Sequence, residues 1–122
     1  MHAHLVFVTK YRKRVFSKAM LTFMESVFLD ICQKFEAKLV EFDGGKDHVH
    51  LLVHYPPKLA ISKLVNSLKG VSSRLLRVQF PQVRQYYWKG VLWSPSYFSG
   101  SCGGAPIEIV KQYIQSQATP LH

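Results

Sequence analysis

KLVEFDGGKDHVHLLVHY, residues 38–55, reads as a β-hairpin. Two runs rich in β-branched and aromatic residues, Lys38–Asp43 and Asp47–Tyr55, flank a Gly44-Gly45-Lys46 turn. Side chains alternate faces along a strand, so Val49, Leu51 and Val53 point to one side and His48, His50, Leu52 and His54 to the other. The apolar set belongs in a core and the histidines on the opposite face. Asp47 precedes His48 and is expected to point away from it, in a turn or capping role.

Upstream, His4–Tyr11 (HLVFVTKY) reads as a strand and Arg12–Arg14 as its basic exit. From Ser17, an N-cap, apolar residues recur at Leu21, Met24, Val27, Phe28, Ile31 and Phe35, the period of a helix over 18–36. Downstream, Pro56-Pro57 stops the hairpin, and Ile61, Leu64, Val65, Leu68, Val71 and Leu75 mark a second helix reaching Val78. Gln85–Trp93 reads as a hairpin or irregular segment turning at Lys89-Gly90, and Ser94–Ser99 as a fourth core strand. Gly100, Gly103 and Gly104 make a joint, and Pro106 starts a final helix running to Gln117. The order β-α-β-β-α-β is that of an α+β, ferredoxin-like (RRM-like) domain spanning residues 1–122. An antiparallel sheet carries two helices on one face, and a C-terminal helix bearing Tyr113 is expected on the other, the side of the histidines.

Sixteen Lys and Arg against seven acids give a net charge of +9, which points to a polyanionic partner. Glu25, Asp30 and Glu36 share one helical stretch, and Glu41, Asp43 and Asp47 crowd one strand and turn, leaving Glu108 apart. A nuclease centre of three convergent carboxylates is therefore excluded, and any metal must lean on neutral ligands. Two cysteines, Cys32 and Cys102, suit reduced thiols, one in the core and one in a loop. Without a signal peptide or an apolar span, the chain is expected to be cytoplasmic, meeting the nucleoid when it acts.

His48 and His50 attach about 7 Å apart on one strand face, so two imidazoles can converge on one ion at about 2.1 Å. His54, about 13 Å beyond His50, cannot share it. His-x-His alone is not diagnostic, because His2-Ala3-His4 repeats the spacing; His4 is itself expected on a strand adjoining the histidine strand. A second pattern is Tyr113-Ile-Gln-Ser-Gln117, whose Tyr113 and Gln117 lie on one helix face, about 6 Å apart.

DHVHLLV, SPSYFSGSCGG and YIQSQ, in that order and with HLVFVTKYRKRV ahead of them, resemble the single-tyrosine transposases of the HUH nuclease superfamily. The resemblance covers nearly the whole chain. It implies a small insertion-sequence transposase that cleaves and rejoins single-stranded DNA through a covalent 5′-phosphotyrosine. It implies Tyr113 as nucleophile, with His48, His50 and Gln117 as ligands of Mg²⁺ or Mn²⁺. It also implies a homodimer in which the tyrosine helix can complete the partner's site, with Gly100, Gly103 and Gly104 as hinge, and DNA that folds into hairpins. A Zn²⁺ site would more usually carry a third His or a Cys, so a hard divalent ion is favoured.

Basic residues interleaved with aromatics suit single strands, on whose bases aromatic rings stack. Lys10, Tyr11, Arg12 and Arg14 after the first strand, Lys69, Arg74 and Arg77 on the second helix, and Trp88 and Lys89 are the candidate DNA contacts. Two alternatives share parts of this pattern. One is another HUH endonuclease: a replication initiator, a relaxase or a domesticated transposase that cuts genomic repeats. The other is a non-enzymatic, RNA-recognition-like module, against which stand His48, His50 and Leu52 where such folds place aromatics.

Overall fold

Seven consecutive residue pairs zip the first strand to the hairpin. In the computed structural model, which describes residues 1–86 and 91–101, β1 (His2–Val8) lies antiparallel to β3 (His48–His54), from His2 opposite His54 to Val8 opposite His48. β2 (Lys38–Gly44) flanks β3 with a register shift between Leu39 and Glu41, and β4 (Phe98–Ser101) pairs with the other edge of β1. The order β2-β3-β1-β4 makes two interlocked split βαβ units, the ferredoxin-like arrangement.

Both helices cover one face of this sheet. α1 (Lys18–Lys34) begins as expected at Ser17, whose hydroxyl accepts from the Met20 amide at 3.2 Å. It ends with Glu36 in the left-handed region at φ 59°, while the Ala37 amide donates back to the Cys32 carbonyl at 2.8 Å. α2 (Ile61–Gln79) buries Leu64, Val65, Leu68 and Leu76, with Ser72 and Ser73 on the same stripe. These side chains, with Met20, Met24, Phe28 and Ile31 of α1, close over Ala3, Leu5, Phe7, Val49, Leu51 and Val53. Phe7 sits centrally, edge-on to Phe28 and Trp93 at ring separations of 6.1 and 5.7 Å. Cys32 is the expected core cysteine, and burial raises its thiol to about 11. Among the described residues no helix is long and apolar enough to cross a membrane.

The end of β1 and the start of β4 differ most from the expectation, for local reasons. β1 stops at Val8 because the chain turns after Thr9: its amide still meets the Asp47 carbonyl (2.9 Å), but its carbonyl accepts from the Arg12 amide (2.9 Å) and its hydroxyl donates to the Lys13 carbonyl (2.8 Å). Lys10–Arg12 then form a 3₁₀ turn in which Tyr11 and Arg12 adopt positive φ. The fourth strand begins at Phe98 rather than Ser94. Pro95 has no amide to donate, and the carbonyls of Ser94 and Ser96 accept from Lys69 Nζ (2.7 and 2.9 Å) instead of a ladder. Gly100, expected in the joint, is inside β4 opposite His4. Residues 81–85 are a 3₁₀ turn; farther along, Trp93 bridges to Thr9 and its indole donates to Ser72 Oγ of α2 at 3.1 Å. Trp88, Lys89, Cys102, Gly103, Gly104 and the expected tyrosine helix, with Tyr113 and Gln117, lie outside the described residues.

Two substitutions, one inside α2 and one just after α1, test this backbone. A Cβ on Gly70, inside α2, would meet no atom within 4 Å, so Gly70→Ala should stabilise by about 0.5–1 kcal/mol. Glu36→Gly should stabilise by a similar ~1 kcal/mol by relieving the left-handed residue. Urea unfolding of each variant reads the change, and a loss of stability in either would contradict the backbone described here.

Candidate active site

The face of the sheet away from the helices carries the imidazoles. The half-buried His48 and His50 lie two residues apart on β3 and project to the same side, as the alternation requires, while Val49 between them is fully buried in the core. The antiparallel register adds β1 to the same face: Val6 stands opposite His50 and Val8 opposite His48, both buried, and His4 is next along.

His4 was legible only as a possible neighbour. Its Nδ1 lies 3.0 Å from His50 Nε2, with the rings stacked 5.2 Å apart. One of the two nitrogens carries the proton and donates to the other. Burial first, and then the charge of His4, push the His50 pKa below its ordinary value, although Asp43 and Glu41 pull it upward. A second pair, His2 and His54, meets farther along with Nδ1 atoms 3.4 Å apart, leaving His54 remote from His48 as the strand rise predicts.

Asp47 corrects the expectation that it would face away from His48. Strand pairing begins at His48, so the alternation does not extend to the residue before it. The Asp47 carboxylate is buried, with Oδ1 3.0 Å from His48 Nδ1 and Oδ2 accepting from Arg12 Nε at 3.1 Å. Burial alone would raise its pKa, but hydrogen bonds from His48 and Arg12, together with the Arg12 charge, hold it below the ordinary carboxylate range. With Nδ1 engaged, His48 has Nε2 left for another partner. Gly45 makes room for the ring: a Cβ there would lie 2.8 Å from His48 Cε1.

The basic candidates divide between two sides. Lys10, Tyr11, Arg12 and Arg14 sit at the His48 end of the sheet, with Lys10 over the exposed Tyr11 ring at 5.4 Å. Lys69, Arg74 and Arg77 are on α2, across the sheet from the imidazoles. Lys69 is half-buried above the Phe7 ring and is bound to two carbonyls, and desolvation lowers its pKa to about 8. It borders a groove of about 310 Å³ between α2 and residues 91–97, whereas Arg74 borders another of about 410 Å³ between α1 and α2. Arg77 donates to Ser73 Oγ at 2.7 Å.

Among the described residues no three His, Cys, Asp or Glu side chains gather into a metal-binding group. The donor set there is two imidazoles on one face, one of them backed by a carboxylate. That chemistry fits a divalent ion which takes a further ligand from another segment.

The chain matches known proteins over most of its length. Residues 1–117 match the family described as "Transposase IS200 like". The chain is 32% identical over 114 residues to the ISDra2 transposase TnpA of Deinococcus radiodurans, covering 93% of this chain and 81% of that protein. It is 30% identical over 114 residues to the transposase for insertion sequence element IS200 of Salmonella typhimurium, covering 93% and 74%. A crystal structure assigned as a Deinococcus radiodurans transposase superposes with a TM-score of 0.88 at 32% identity, over 96% of this chain and 90% of that one. A tyrosine transposase solved with a REP hairpin bound shares the fold at a TM-score of 0.58 and 8% identity, over 93% and 61%. With the whole sheet, both helices and the paired histidines falling inside the matched span, the chain belongs to the IS200-like transposase family.

Proposed function

We propose that this transposase cleaves and rejoins single-stranded DNA at the ends of its insertion sequence, with Tyr113 as the nucleophile and His48, His50 and Gln117 holding Mg²⁺ or Mn²⁺. The observation that carries the reading is the pair of imidazoles on one sheet face, with a carboxylate fixing the first. Neutral nitrogen and amide-oxygen donors leave the ion its full charge, and when bound it polarises the scissile phosphate and stabilises charge developing there.

Tyr113 forms a bond from its phenolic oxygen to phosphorus as the P–O3′ bond breaks. The phenol loses its proton, and the departing strand ends in a 3′-OH. The 5′-phosphate remains on the protein as a phosphotyrosine. A phenol with an ordinary pKa of about 10 is a fair leaving group, so a later 3′-OH can attack the same phosphorus and return the tyrosine. The phosphodiester energy is conserved, and neither hydrolysis nor ATP is required.

Lys10, Tyr11, Arg12 and Arg14 stand at the end of the sheet where His48 lies, in position to hold a strand that crosses the imidazole face. The hairpin bound by the structurally similar tyrosine transposase supports folded single-stranded DNA as the partner. A homodimer whose tyrosine helix is exchanged between subunits agrees with the glycines at 103 and 104 before residues 106–117.

Labelled single-stranded hairpin DNA incubated with Mn²⁺ and run on a denaturing gel should yield a protein-linked product. Tyr113→Phe should abolish the adduct, and His48→Ala should lower it on the order of 10²-fold. An undiminished adduct in Tyr113→Phe sinks the nucleophile assignment; no adduct in the wild type leaves only a binding module. Acid provides a separate test. Because His50 titrates below its unfolded value, the unfolded chain binds more protons, and stability should fall as the pH drops below about 6.5 towards the folded pKa. Denaturant midpoints between pH 7.5 and 5.5 read this slope, and His50→Asn should flatten it.

A further inference from the structure

Beside the proposed ligands, the buried Asp47 carboxylate has both oxygens bonded, and the fold does not need it as a tether. The loops it joins are already bound through the main chain. The Thr9 amide donates to the Asp47 carbonyl, and the Val15 and Phe16 amides both donate to the Lys46 carbonyl, each at 2.9 Å. The two carboxylate oxygens are spent elsewhere, one on Arg12 and one on His48. Arg12 reaches Asp47 from a turn in which it and Tyr11 both hold positive φ, a conformation that persists in ordinary residues only where the surroundings enforce it.

We propose that Arg12 and Asp47 are positioning residues that set the tautomer and orientation of His48. The proposal rests on His48 being a metal ligand. An ionised carboxylate only accepts hydrogen bonds, so in the neutral imidazole the proton facing Asp47 Oδ1 sits on Nδ1. The Nε2 lone pair is then presented to the metal. Arg12 keeps the carboxylate from rotating by occupying Oδ2 with a donor that never loses its proton. Gly45 supports the imidazole from another side, since a Cβ there would stand 3.2 Å from His48 Nδ1 and 2.8 Å from Cε1. Arg12, a candidate DNA contact by sequence, thereby links the Lys10–Arg12 turn to the site.

The test uses Asp47→Asn in the full-length protein. Asparagine offers one oxygen to two donors, and the permanently charged guanidinium claims it. The amide NH₂ is left facing His48 Nδ1, which forces the proton to Nε2. Long-range ¹H–¹⁵N NMR of the metal-free protein should show His48 changing from the Nδ1–H to the Nε2–H tautomer. Calorimetric Mn²⁺ affinity should fall about 10–100-fold, while metal-free hairpin binding stays within about twofold. In the double variant Arg12→Gln/Asp47→Asn the amide can turn over, so the Nδ1–H tautomer and part of the Mn²⁺ affinity should return. A purely structural pair would give additive losses instead. Asp47→Asn that keeps both the tautomer and the Mn²⁺ affinity overturns the proposal, and failure of the double variant to recover overturns the part assigned to Arg12. Mn²⁺ binding that is insensitive to His48→Ala removes the metal reading itself; the tautomer signal separates that result from a failure of Asp47 to orient the ring.

Discussion

The antiparallel pairing of β1 with β3 is the constraint on which the rest of the molecule depends. Opposed residues in such a ladder point to the same side. Once Val8 stands opposite His48 and His2 opposite His54, Ala3, Leu5 and Phe7 must join Val49, Leu51 and Val53 in one apolar sheet face. That face binds both helices, and the histidines of both strands are sent to the other side. A slip of one residue would exchange the two sets, placing imidazoles in the core and aliphatic side chains at the site. The hydrophobic effect that holds the core therefore also aims His48 and His50.

The ends of the ladder are finished by hydrogen bonds that the strand pattern does not contain. At the His48 end, the Thr9 amide still meets the Asp47 carbonyl, its hydroxyl holds the Lys13 carbonyl, and the Lys10–Arg12 turn between them brings Arg12 onto Asp47. On the helix side, Lys69 spans from α2 to the carbonyls of Ser94 and Ser96, delaying β4 and walling one groove. Two cations that look alike in sequence thus do different work: Arg12 organises a carboxylate beside the imidazoles, and Lys69 secures a loop on the far side of the sheet.

Most of the architecture was legible because it rests on local chemistry. Ser17 begins α1 as a cap, the Gly44-Gly45 turn closes the hairpin, and the apolar periods locate both helices. The errors fall where a distant partner overrules a local tendency. HLVFVTKY has strand propensity through Tyr11, yet Arg12 folds back to the Asp47 carboxylate, 35 residues away. SPSYFS has it from Ser94, yet a lysine on α2 takes the carbonyls. Leu75 does pack against the core, and the adjacent Leu76, outside the stripe read from sequence, is fully buried.

The same division runs through the site. Composition and spacing were sufficient for an acid-poor, basic, α+β chain with two histidines on one strand face, because charge counts and the twofold alternation of a strand are properties of the chain itself. The contacts of His4 with His50 and of Arg12 with Asp47 depend on register and on loop closure between residues 46 and 35 positions apart. No periodicity encodes such contacts. They exist only when burial of the core brings β1, the residue 9–13 turn and the hairpin corner together.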